Sequence, residues 1–142
     1  MTKLLLLLLI SCASLAFVAA AVFGLDDATL FVSPPEARAE GFIRSIETGR
    51  YVQAKQYLSN TARGHTSIVD LERLRGEIVS SVGEVQNVTG KRLRIEGDEA
   101  EADAILHSRH RRLSQIRVRL VRESGEWNVG HFRMDTRASS RP

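Results

Sequence analysis

The feature that most constrains this chain is a change of hydrophobic period near residue 84. Before it, apolar residues recur at helical spacing. Ala39, Phe42, Ile43 and Ile46 fall at i, i+3, i+4 and i+7, the pattern of one buried helix face. After it, side chains alternate. Ile116, Val118 and Leu120 face one way and Arg117 and Arg119 the other, as on a strand with one wet face. A chain that runs helices first and strands second belongs to the α+β class, with the helices stacked on one face of an antiparallel sheet.

The helical half divides into three predicted segments. The first is "SPPEARAEGFIRSIETG", residues 33–49. Ser33 and Glu36 have the spacing of a capping box, Pro34 suits the first helical position and Gly49 a stop. The second is "RYVQAKQYLSNTAR", residues 50–63, with Tyr51, Ala54 and Leu58 as its stripe. The third begins at Ser67 and Asp70, carries Ile68, Leu71, Leu74, Ile78 and Val82 on one side, and ends at Gly83.

Four strands come next, separated by "EGDE" and "ESGE" turns and by a basic loop. In the first, alternation predicts Leu93 and Ile95 on one face and Arg92 and Arg94 on the other. The second gathers Ala100, Ala102, Ala104 and Leu106. The fourth sets Trp127 and Val129 apart from Phe132 and Met134.

The N-terminus is unlike the rest. Residues 4–24 carry no charge, while all 17 acidic and 19 of the 20 basic residues lie beyond residue 25. About 20 apolar residues match a bilayer core at the helical rise, which favours an uncleaved signal-anchor helix over residues 1–24. "VAAA" at 18–21 also offers a cleavage site for a signal peptide, and "LISC" at 9–12 resembles a lipobox ending at Cys12. All three fates export the remainder: a linker at 25–32, a domain at 33–135 and a polar tail at 136–142. The expected location is the bacterial inner membrane with the domain facing the periplasm or exterior, or a secreted or periplasmic form after cleavage. Cys12 is the only cysteine, so the exported part can form neither an internal disulfide nor a thiolate metal site.

Two stretches carry a resemblance to a known superfamily. "FIRSIETGRYVQAKQYLS", residues 42–59, has an apolar helix, a glycine, then an aromatic-and-alanine helix ending in Leu-Ser. "IRVRLVRESGEWNVGHF", residues 116–132, has a strand, a charged glycine turn and Trp-x-Val. Together they resemble the opening and closing patterns of the NTF2-like, or cystatin-like, superfamily. The resemblance implies three N-terminal helices on a four-stranded twisted antiparallel sheet that forms a cone, here preceded by one hydrophobic N-terminal helix. Small bacterial proteins of this kind often have a membrane or signal helix and no assigned function.

Enzymes resembling ketosteroid isomerase or polyketide cyclases place an acid or base inside that cone. The residues of the right type are Asp103, His107, His131 and Asp135, but none falls in a recognisable catalytic motif. His107 and His110 are three apart, which on a strand puts them on opposite faces and argues against shared metal ligation. No catalytic site, cofactor or metal is therefore expected. A small apolar ligand held in the cone would meet Phe42, Ile46, Leu58, Leu106 and Trp127. If the strands pair in sequence order, Arg92, Arg94, Arg117 and Arg119 share the outer sheet face, where guanidinium groups suit carboxylates and phosphates. The exported location and the lack of interleaved aromatics argue against nucleic acid. The expectation is a non-enzymatic, membrane-anchored scaffold that binds a protein partner or a second copy of itself. A ligand-binding module is the alternative, and an isomerase- or cyclase-type enzyme comes third.

Overall fold

A computed structural model describes residues 32–110 and 112–135. The expected N-terminal helix, most of the linker and the C-terminal tail lie outside these residues. Among the described residues no helix is long and apolar enough to cross a membrane. The elements run α1 (Pro35–Glu47), α2 (Tyr51–Gln56), α3 (Asn60–His65), α4 (Ile68–Val82), β1 (Val85–Glu96), β2 (Glu99–Ser108), β3 (Leu113–Glu123) and β4 (Glu126–Asp135). The strands form one antiparallel sheet in the order β1-β2-β3-β4. The α+β class and the meander agree with the alternation read from the sequence.

Two helix boundaries differ from expectation, each for a local reason. Helix α1 starts at Pro35, with Pro34 as its N-cap and no side-chain capping bond. The Glu36 carboxylate instead reaches β1, where it accepts from Arg92 Nε at 2.9 Å and Nη2 at 2.6 Å. The second predicted helix is broken between α2 and α3. Tyr57 and Ser59 turn their backbone groups to β4: Val129 N donates to Tyr57 O at 2.7 Å and Ser59 N donates to Val129 O at 2.8 Å. Leu58 makes a parallel bridge to Val129 there. The Ser59 hydroxyl accepts from Ala62 N and so restarts the chain as α3. The capping box at α4 forms as read, with Asp70 N donating to Ser67 Oγ and Ser67 N to Asp70 Oδ2.

The core lies between α1 and one face of the sheet. Alanines 100, 102 and 104 form a row of short side chains on β2, and the bulky Phe42, Ile43 and Ile46 of α1 are buried with them. Ile116, Val118, Leu120, Trp127 and Val129 complete the wall, while Leu71, Leu74, Ile78 and Val82 enter from α4. Burying each large apolar side chain contributes roughly 1.5–3 kcal/mol before entropy is counted. Close approach of α1 to β1 requires Gly90, since a Cβ there would stand 2.1 Å from Glu36 O. Glu40 accepts from Gly90 N, and Arg44 donates to Val88 O, so α1 side chains also occupy backbone groups of the β1 edge.

Two of the three register shifts in the sheet decide which way the later residues of β1 and β4 face. In β1 the register passes from Arg92↔Ala102 to Arg94↔Glu101, leaving Leu93 as an extra residue. In β4 it passes from Leu120↔Val129 to Arg119↔His131, leaving Gly130 extra. Each bulge reverses the parity of the residues beyond it. Phe132 and Met134 therefore join Trp127 and Val129 on the helix side, contrary to simple alternation. Phe132 meets Phe42 with ring centroids 5.1 Å apart.

Candidate functional site

The outer sheet face is built from the residues that alternate with the core. On β2 these are Glu101 and Asp103, on β3 Arg117 and Arg119, and on β4, after the bulge, His131 and Arg133. Their registers are Asp103↔Arg117↔Arg133 and Glu101↔Arg119↔His131, two polar rows side by side.

The rows are unequally neutralised. Asp103 is buried, and Arg117 Nε donates to its Oδ1 at 3.0 Å. That hydrogen bond, with the charge of Asp103 and weaker fields from Asp135 and Glu101, raises the Arg117 pKa. Glu101 stands between Arg94 at 3.7 Å and Arg119 at 3.5 Å, so one carboxylate serves two guanidinium groups. At β4 the balance fails. Among the described residues, neither Arg133 nor His131 has an ion pair or side-chain hydrogen bond, and both are exposed. Arg117, Arg119, His131, Arg133 and Glu101 line a depression of about 200 Å³.

Two further depressions continue along β4. One, of about 530 Å³, runs from Ser59 and Thr61 past Gly130 to Arg119 and His131. The other, of about 840 Å³, lies between β4 and α4 and is lined by Arg73, Gly76, Glu77, Ser80, Ser81, Arg133 and Met134. The first depression shares Arg119 and His131 with the second and Arg133 with the third.

The residues singled out by sequence divide between the two faces. Arg94, Arg117 and Arg119 share the outer face. Arg92 does not: it lies before the β1 bulge, opposite Ala102, and is bound to Glu36 of α1. Strict alternation puts it beside Arg94 because it does not count the extra residue at Leu93. Asp103 and His131 also lie on the outer face and not inside the cone. His107 Nε2 is 3.4 Å from Thr89 Oγ1, and Asp135 accepts from Gln115 Nε2 at 3.5 Å near the end of β4. Phe42, Ile46, Leu58, Leu106 and Trp127 are brought together as members of one packed core, each at most 2% exposed. Arg122 stacks over the Trp127 ring at 4.5 Å, and Arg38 Nε donates to Trp127 O. Sequence reasoning missed Arg133. Its signal was Gly130, since an isolated glycine inside a strand pattern marks a bulge.

This arrangement of helices and sheet is an NTF2-like fold. A crystal structure from Campylobacter jejuni, described as an NTF2-like transpeptidase, superposes with a TM-score of 0.57 at 15% sequence identity, covering 70% of this chain and 99% of that one. At that identity the likeness concerns the fold alone, because one fold hosts many unrelated activities. No protein-family model matches the chain. No curated protein matches it.

Proposed function

We propose that this chain is a non-enzymatic NTF2-like scaffold of the cell envelope, held at the membrane by its N-terminal apolar segment and docked on an acidic protein through the outer face of its sheet. One observation carries the reading. The side of the sheet where an NTF2-like enzyme would hold its substrate is packed with core side chains, whereas the other side carries exposed Arg119, His131 and Arg133, with Arg119 sharing its one carboxylate and Arg133 without an ion pair among the described residues, around an open depression. Guanidinium groups in that setting favour carboxylates, and charge complementarity gives such a contact its specificity. The apolar run at residues 4–24 supports the membrane location.

The test is crosslinking in the host cell. A photo-reactive residue at position 131 is expected to capture one protein partner, while the same probe at Glu72, exposed on α4, captures none. Charge reversal at Arg119 and Arg133 together should remove the adduct. Failure to crosslink from position 131, or an adduct indifferent to charge reversal, would exclude the docking face. The intact mass of the membrane-extracted chain tests the anchor: loss of residues 1–24 would rule it out.

A further inference from the structure

We infer that the partner segment binds as an added β-strand along the free edge of β4, with acidic side chains on the outer face; this rests on the docking reading above. β4 is an edge of the sheet. Its outer backbone groups are used once, at Val129, where Tyr57 and Ser59 bond to it and Leu58 makes a bridge of strand character. From His131 to Met134 no other described backbone group pairs with that edge. An unpaired edge is a template for another strand.

The space beside it is open. The cleft of about 840 Å³ lies between β4 and α4, and its α4 wall carries the short Gly76, Ser80 and Ser81 together with Arg73 and Glu77. A Cβ at Gly76 would meet nothing within 4 Å. An added strand needs about 4.8 Å beside its neighbour. Its side chains would alternate as those of β4 do. Those on the outer face would meet Arg133, His131 and Arg119, which favours carboxylates. Those on the other face would meet Met134 and the short Gly76 and Ser80 of α4, beside the charged Arg73 and Glu77, where small apolar groups fit. The occupant that fits is an extended protein segment alternating acidic and apolar residues.

A short synthetic peptide alternating glutamate and valine is the probe, with the lysine–valine peptide as control, titrated against the full chain in mild detergent. The glutamate peptide should bind, the lysine peptide should not, and binding should slow amide exchange at residues 131–134. Gly76→Trp fills the cleft from an exposed helix position and should weaken binding at least about tenfold, while Glu72→Trp, exposed on the same helix but outside the cleft, leaves it unchanged. Arg133→Glu should weaken it similarly. Binding lost in Arg133→Glu but unaffected by Gly76→Trp, with no protection of β4, would overturn strand addition and leave the charged docking face standing. No binding of the glutamate peptide, or equal binding of both, would overturn the strand proposal outright. The crosslink from position 131 then decides separately whether the face docks a protein.

Discussion

The two faces of the sheet differ in how their side chains are satisfied. On the helix side one continuous cluster of apolar side chains is buried, and Phe42, Leu106, Ile116 and Leu120 have no exposed surface. On the outer side charged groups form rows whose pairing weakens from β2 towards β4. The first face is committed to holding the fold together, since tightly packed interiors leave no slack. The second has capacity left over. Phe42, Ile46, Leu58, Leu106 and Trp127 belong to the first face as buried members of the core, whereas Arg119, His131 and Arg133 stand exposed on the second.

Removing a large side chain from the closed face should break the comparison most severely. Phe42→Ala deletes a ring buried completely and packed against Phe132. The expected loss is about 3–5 kcal/mol, from lost transfer energy plus an unfilled cavity. Chemical denaturation of wild type and variant measures it. A loss below about 1 kcal/mol would mean that the helix side is loosely packed and able to admit a ligand.

Asp103 is the place where the outer face resembles the inner one. It is 5% exposed, and its partner Arg117 is 33% exposed. Asp103→Ala leaves that guanidinium without its main acceptor at a sheltered position, and about 1–3 kcal/mol should be lost. Arg133→Glu, a larger change in charge at an unpaired exposed position, should alter stability by no more than about 0.5 kcal/mol. Equal effects of the two substitutions on the denaturation midpoint would erase the distinction between paired and spare charge on this face.

Most of the architecture was legible because it rests on local periodicity. Leu71, Leu74, Ile78 and Val82 lie where their spacing put them, and the Ser67–Asp70 box caps α4 as its sequence signals. The "ESGE" turn closes with Ser124 and Gly125 both at positive φ, the geometry of a two-residue hairpin. The illegible features depend on single extra residues and on distant partners. Nothing near Leu93 announces its bulge, so alternation assigns Arg92 to the wrong face. Gly130 does announce one, and reading it would move His131 and Arg133 onto the outer face and Phe132 into the core. The break at Leu58 is set by backbone bonds to Val129, far along the chain, which no local pattern encodes.

Arg92 also offers the finest test of the two faces, because it ties the β1 edge to α1 and not to the outer charge rows. The hydrogen bonds from Arg92, reinforced by its charge, hold the Glu36 pKa below the ordinary carboxylate value of 4.5 against the opposing effect of burial. The folded chain thus binds a proton at Glu36 less readily than the unfolded chain. The resulting stabilisation is complete above that ordinary value and disappears as pH falls through the lower folded value. Both side chains retain solvent contact, at 49% for Arg92 and 24% for Glu36, so screening keeps the effect smaller than either of the others. Glu36→Gln should melt slightly below wild type at neutral pH, and the two curves should converge in acid. High salt should narrow the gap at neutral pH. An identical gap at every pH would show that the carboxylate charge does not fasten α1 to β1, and that the apolar core and the close contact at Gly90 hold the helix there unaided.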